Sequence, residues 1–127
     1  MTHVLAIDDE DLARFTIREI LEDGGFSVTT AANGIEAFDC LDRMDAPPDV
    51  ILCDLRMPEM GGVEFLRQLA LRKYRGAIII ISALDKLTVE VAEGLAKYRE
   101  VNVRGRLSKP FAPDDLIDAV RRALDGD

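Results

Sequence analysis

Short apolar runs alternate with helical patterns along this chain, and turn residues separate them. His3-Val4-Leu5-Ala6-Ile7 reads as a buried strand that ends at Asp8-Asp9. Ala13, Ile17, Ile20 and Leu21 then recur at helical spacing until Gly24-Gly25 stops the helix. Phe26-Ser27-Val28-Thr29-Thr30 predicts a second strand. Asn33-Gly34 opens a helix through Ile35, Ala37, Phe38 and Leu41, and Ala46-Pro47-Pro48 closes that unit.

The third strand is Val50-Ile51-Leu52-Cys53, closing at Asp54. A loop with Pro58 and Gly61-Gly62 leads into a helix carrying Phe65, Leu66 and Leu69. Ala77-Ile78-Ile79-Ile80-Ile81 is the most strand-like run in the chain, and it ends at Ser82. Leu84, Leu87, Val91, Leu95 and Tyr98 give a long fourth helix, and Val101 to Leu107 a weaker fifth strand. A last helix starts at Ala112-Pro113-Asp114-Asp115 and runs through Leu116, Val120 and Ala123, with Pro113 suited to its first turn. Five strands alternating with five helices imply an α/β fold with a parallel sheet covered on both faces. Right-handed crossovers make a doubly wound, flavodoxin-like sheet the natural closure, with 2-1-3-4-5 the expected strand order. No repeat, low-complexity segment or linker interrupts the pattern, so residues 1–127 read as one domain.

Composition narrows the function classes. The chain has 48% hydrophobic and 31% charged residues, ordinary for a globular domain, and no apolar stretch long enough to span a membrane. Its start carries no signal-peptide pattern, which makes a cytoplasmic location the expectation. The net charge of −8 argues against direct nucleic-acid binding, which needs clustered Lys and Arg. Cys40 and Cys53 fit no ligand spacing, and Cys53 reads as a small core hydrophobe. His3 stands alone and is given no role.

The polar residues fall at telling places. Four of the five strands end in one: Asp8-Asp9, Asp54, Ser82 and Ser108-Lys109. In an open parallel sheet, functional groups gather outside the carboxyl ends of the strands. Clustered carboxylates repel one another unless protonated or bridged by a cation, and a hard divalent ion with oxygen ligands, Mg²⁺ or Mn²⁺, meets that need. A metal, a carboxylate nucleophile, a lysine and a hydroxyl together suit phosphoryl transfer, where positioning and charge neutralisation carry the catalysis.

Asp8-Asp9, Asp54 within VILCDLRMPEMGG, Ser82-Ala83 and Lys109-Pro110-Phe111 together resemble the receiver domain of bacterial two-component response regulators. The resemblance covers essentially the whole chain. It implies Asp54 as phosphoacceptor, Asp9 as direct metal ligand and Asp8 as holder of the metal's water shell. It also implies the backbone carbonyl of Arg56 as a further ligand, Ser82 as the hydroxyl that moves toward the phosphoryl group, and Lys109 as the partner of Asp54 or its phosphate. The Lys109-Pro110 bond would be cis. Its implied partners are a sensor histidine kinase or phosphotransfer protein, and an output domain or effector, with a homodimer formed on phosphorylation a further outcome. Neither nucleic acid nor membrane is expected as a direct partner. The face of the fourth helix, fifth strand and last helix is the expected output surface.

Plainer readings stand beside these. Asp8-Asp9 and Ser82 could simply cap the helices that follow, and Lys109 alone could be a solvated surface lysine. Arg56 reads as a surface residue overhanging the site, Glu10-Asp11 as a solvated helix start, and the Leu87-Val91-Leu95 stripe with Tyr98 as helix packing. Asp54 is harder to explain away, because a charge ending an apolar strand has few structural jobs.

Two features depart from the family pattern. Arg106 stands three residues before Lys109, where receivers often carry Tyr or Phe that swings inward, so an electrostatic switch at Arg106 is the alternative. The stretch between Ser82 and Lys109 is also longer than usual. Receivers fused to EAL-type cyclic-di-GMP phosphodiesterase domains show a similar extension. Arg56 and Leu84 occupy places that tune phosphoryl lifetime in the family.

The leading expectation is a phosphorylation switch without catalysis beyond phosphotransfer to its own Asp54 and self-dephosphorylation. A pseudo-receiver that only binds protein is the alternative. A haloacid-dehalogenase-like phosphatase is a third reading, but it needs an Asp two residues after the nucleophile, where this chain has Arg56.

Overall fold

The computed structural model describes residues 1–55, 61–82 and 101–125. Strands β1 (His3–Ile7), β2 (Ser27–Ala31), β3 (Val50–Asp54), β4 (Ala77–Ser82) and β5 (Val103–Ser108) form one parallel sheet of order β2-β1-β3-β4-β5. Helices α1 (Asp11–Asp23), α2 (Gly34–Arg43), α3 (Gly62–Leu71) and α4 (Pro113–Asp125) complete the described elements. Helix α4 is the last helix expected from the sequence. The helix expected over Leu84 to Tyr98, the Ala83 position and the 56–60 loop with Arg56 and Pro58 lie outside the described residues.

Alternation along the strands splits the core in two, because successive side chains point to opposite faces. Leu5, Ile7, Ile51 and Cys53 pack with Phe38 of α2 and with Phe65, Leu66 and Leu69 of α3. Val4, Ala6, Val50 and Leu52 pack on the other face with Ile17 and Leu21 of α1 and Leu116 and Val120 of α4. Strands β3 and β4 are buried at every residue, which is why their sequences are apolar without alternation. Edge strand β5 alternates between half-buried and exposed positions. Among the described residues, no helix is long and apolar enough to cross a membrane.

Differences from the sequence reading have local causes. Strand β2 starts at Ser27, one residue late, because Phe26 is used to end α1. Its N–H donates to the Leu21 carbonyl (3.0 Å) and Gly25 N–H to that of Glu22 (3.0 Å), with Gly25 at φ 93°. This paired closure puts the left-handed residue where glycine is unpenalised. Strand β5 starts at Val103 instead of Val101, and its register slips: Ile78 pairs with Val103 but Ile79 with Gly105. Arg104 is therefore the extra residue of a bulge.

Helix α3 ends by the same closure as α1. Lys73 N–H donates to the Ala70 carbonyl (3.0 Å) and Tyr74 N–H to that of Leu69 (3.1 Å). Here the left-handed residue is Lys73, at φ 59°, a placement that costs an L-residue on the order of 1 kcal/mol.

Capping is clearest at α2. Asn33 Oδ1 accepts from Glu36 N–H (2.8 Å), and Glu36 Oε1 accepts from Ala32 N–H (3.2 Å). Helix α1 differs from the capping reading of Asp8-Asp9. Its N-cap is Glu10, which makes no side-chain capping bond. The two aspartates before it are thereby left for other contacts.

His3 also has more to do than its isolation in sequence implied. Its ring bonds the hydroxyls of Ser27 (2.9 Å) and Thr29 (2.7 Å) on the neighbouring strand. Its backbone N–H donates to Asp49 Oδ2 (2.8 Å). These bonds tie β1 to β2 and to the residue before β3.

Candidate functional site

The parallel register brings the expected polar residues to one rim. Asp54 ends β3 beside Ile81 of β4, and Ser82 pairs with Ser108 at the ends of β4 and β5. The backbone continues the sheet beyond the strands: Asp8 N–H donates to the Ala31 carbonyl (3.1 Å) and Lys109 N–H to the Ser82 carbonyl (3.0 Å). The Lys109–Pro110 peptide is cis.

Lys109 joins this rim into one site. Its Nζ donates to Asp8 Oδ2 (2.7 Å) and Asp54 Oδ2 (3.1 Å), and lies 4.0 Å from Glu10 Oε1. Asp8 is wholly buried, Asp54 is 4% exposed and Ser82 8%; these are the buried polar residues among those described. Two carboxylates taken out of water demand a counter-charge, and a single ammonium between them supplies it. Burial alone would pull the Lys109 pKa down. Its hydrogen bonds to Asp8 and Asp54, and their charges, outweigh that and hold it above the usual lysine value.

Asp8 is fixed from several sides. Its Oδ1 accepts from Glu10 N–H (3.0 Å), and its carbonyl accepts from Arg14 Nη1 (2.7 Å). Arg14 is itself ion-paired to Asp11 one turn away. Asp9, by contrast, points outward and is exposed. The carboxylates of Asp8, Asp9 and Glu10 each offer an oxygen within 4.8 Å of the others. An all-oxygen set of that spacing and charge fits a hard divalent cation.

Glu10 is the exposed N-cap of α1, as its reading as a solvated helix start expected, and its carboxylate also comes within reach of those of Asp8 and Asp9. Of the expected ligand set, Asp8 and Asp9 are in this acidic group, Asp54 meets it through Lys109, and Arg56 lies outside the described residues.

Cys53 packs in the core beneath Asp54, and burial followed by the neighbouring carboxylate pushes its thiol far up, away from reactivity. Arg106 is exposed on β5, opposite Ile80. It lines an open groove with Phe111, Asp115, Asp118 and Arg122 of the α4 side.

The sequence family described as the response regulator receiver domain matches residues 4–121. The chain belongs to this family. Receiver domains act as phosphoacceptor signalling switches in two-component systems, and the CheY-like sheet order and buried aspartate rim agree with that role. The chain is 28% identical to the sporulation initiation phosphotransferase F of Bacillus subtilis, over 95% of this chain and 92% of that protein. It is 35% identical to a protein-glutamate methylesterase/protein-glutamine glutaminase of Halobacterium salinarum, over 100% of this chain but 38% of that protein. This receiver domain thus spans less than half of the methylesterase's length. Among solved structures, the chemotaxis protein CheY4 of Vibrio cholerae superposes with a TM-score of 0.84 at 30% identity, covering 98% of this chain and 99% of that one. A Thermotoga maritima response regulator solved with Mg²⁺ and BeF superposes with a TM-score of 0.81 at 25% identity, covering 98% and 100%.

Lys109 is the counter-charge on which the buried carboxylates depend. Lys109→Met is expected to lower stability by about 2 kcal/mol at neutral pH. That is below the 3–5 kcal/mol of a fully buried broken pair, because the lysine side chain is 22% exposed. Because the folded-state pKa is raised, the lysine's contribution is full below the ordinary lysine value near ~10.4 and is lost as pH rises through the folded value. Urea melts of both proteins across alkaline pH should therefore show their difference shrinking only above about pH 10. Equal stability of the two proteins at pH 7 would contradict the assignment.

Proposed function

We propose that the chain, read over residues 1–127 as a single receiver domain, takes a phosphoryl group onto Asp54. The observation that carries the proposal is the Lys109 ammonium shared by Asp8 and Asp54 at the carboxyl rim of the sheet. Asp54 Oδ attacks the phosphorus of a phosphohistidine on a sensor kinase or phosphotransfer protein, or of a small phosphodonor. The new O–P bond makes an acyl phosphate, and the old P–N or P–O bond leaves with its electron pair on the donor. Lys109 meets the charge that arrives, roughly −1.5 to −2 at neutral pH. Ser82, at the end of the neighbouring strand, donates a hydrogen bond to the bound group.

Asp9 and Asp8, with Asp54 and the Arg56 carbonyl, would hold Mg²⁺ or Mn²⁺, and Glu10 extends the acidic set. A divalent ion there would neutralise phosphoryl oxygens. The chain's own chemistry is then confined to phosphotransfer onto Asp54 and its reversal by hydrolysis. Two cysteines without a disulfide suit the cytoplasm, where such donors are found.

The incoming charge biases two arrangements of the face that includes β5 and α4, and an output domain or effector distinguishes them. Arg106 serves as the electrostatic reporter on that face. It stands on β5 three residues before Lys109 and opens onto the groove with Asp115 and Asp118. The Halobacterium relative places a receiver-like segment within a longer methylesterase, the kind of output arrangement this reading accommodates.

Treatment with acetyl phosphate and Mg²⁺ should add one phosphoryl group to the intact mass. Chelator or Asp54→Asn should abolish the gain, and Asp9→Asn should slow it by at least about tenfold, the loss of transition-state charge stabilisation of roughly 1.4 kcal/mol or more. No gain under any condition would instead promote the protein-binding pseudo-receiver.

Arg106→Ala should leave the rate of phosphoryl gain within about twofold, under 0.5 kcal/mol in barrier. It should nonetheless diminish the change that phosphorylation produces in amide signals of β5 and α4. An undiminished change, measured by NMR before and after phosphorylation, would remove Arg106 from the switch.

A further inference from the structure

The rim opposite the phosphoacceptor carries a second feature that the switch does not use. Helix α2 ends, β3 begins, α3 ends and β4 begins at this edge, about 16 Å of five-residue strand away from Asp54. A cavity of about 320 Å³ opens there, floored by Leu41, Met44, Pro47, Leu69 and Tyr74. The Tyr74 hydroxyl donates to the Pro48 carbonyl (2.8 Å), which fixes the ring as one wall. Gly76 packs directly under that ring, and any side chain there would collide with it.

Three cations, Arg72, Lys73 and Arg75, line the same opening. In a chain of net charge −8, no carboxylate among the described residues lines this opening, although Asp42 holds Arg72 from the end of α2 and Asp49 lies near Tyr74. Arg72 is held by Asp42 (2.8 Å) and lies over the Phe38 ring (4.3 Å to its centroid). Lys73 and Arg75 are exposed and make no ion pair among the described residues.

Lys73 adds an independent sign. It occupies the left-handed position that closes α3, where glycine serves at the equivalent place after α1. Strain retained at an exposed side chain that has no ion pair among the described residues points to a use for that side chain.

We propose that this pocket docks an acidic, apolar segment of a partner protein, with a Leu- or Phe-like side chain in the cavity and carboxylates on Lys73 and Arg75. The cations sit on the open rim instead of inside the cavity, so they read charges flanking an anchor better than the single head group of a small ligand. The patch is short and the chain as a whole is acidic, which disfavours an extended polyanion such as nucleic acid. Screening beyond about 8 Å at physiological ionic strength lets the local charges govern the encounter.

The probe is a short synthetic peptide with a leucine–phenylalanine core flanked by glutamates, both ends blocked. Its control has lysine at each glutamate. Fluorescence anisotropy with the full chain should show saturable binding of the acidic peptide, with NMR shifts at Leu41, Met44 and Tyr74. The lysine peptide should bind at least about tenfold more weakly. Lys73→Glu combined with Arg75→Glu should invert that preference.

Lys73→Gly separates function from folding. It should raise the melting midpoint by relieving the left-handed residue, yet weaken the acidic peptide several-fold. Absence of saturable binding, equal binding of the two peptides, or a Lys73→Gly protein with unchanged affinity would each overturn the proposal. Saturation by octanoate without binding of the peptide would overturn it in favour of a small amphiphile.

Discussion

One ammonium group shared between two nearly buried carboxylates sets the conditions for the rest of this site. Asp8 and Asp54 stand at the ends of adjacent, buried strands, and Lys109 between them is their shared counter-charge. The lysine in turn is delivered by β5, from the far side of β4, so the bridge exists only when the sheet has closed in its 2-1-3-4-5 order. The contact therefore couples sequence positions 101 residues apart to the geometry of a single rim. In the proposed switch, a phosphoryl group on Asp54 competes with the Asp8 carboxylate for the same ammonium, which is how a local charge change would reach β5 and α4.

The parallel sheet separates two kinds of surface. Its carboxyl rim gathers acids around one lysine, and the opposite rim gathers cations around an apolar opening. Both surfaces rest on the same core on the α2–α3 side, where Cys53 lies beneath Asp54, and Leu69 and Tyr74 contribute to the opposite pocket. A chain of net charge −8 thus carries a localised basic face that its total charge conceals.

Much of this was legible in the sequence, for identifiable reasons. Runs such as Ile78 to Ile81 admit little but a buried strand, and the polar residue closing each run marks the rim, so the sheet order and the convergence of Asp8, Asp54, Ser82 and Lys109 followed. Membership of the receiver family agrees with the motifs that carried the resemblance. What escaped depends on backbone detail or on distant contacts. The bulge at Arg104 leaves no mark in a pattern of alternating residues, and Phe26 reads as strand until its bond to Leu21 is seen. Glu10 is the solvated helix start its sequence implied, but the approach of its carboxylate to Asp8 and Asp9 is a contact that no pattern marks. The pocket near Lys73 forms only when the end of α2 meets the loop after α3, and no local periodicity encodes that meeting.

The proposed switch comes down to one bond, a phosphorus on an oxygen of Asp54, and chemical localisation reads that bond without an intermediary. An acyl phosphate is reduced by borohydride to the alcohol, which converts the phosphorylated aspartate to homoserine. After acetyl phosphate and Mg²⁺ treatment, reduction and peptide sequencing by mass spectrometry, homoserine is expected at Asp54 alone. Homoserine at Asp8, Asp9 or another acid, or none anywhere, would contradict it.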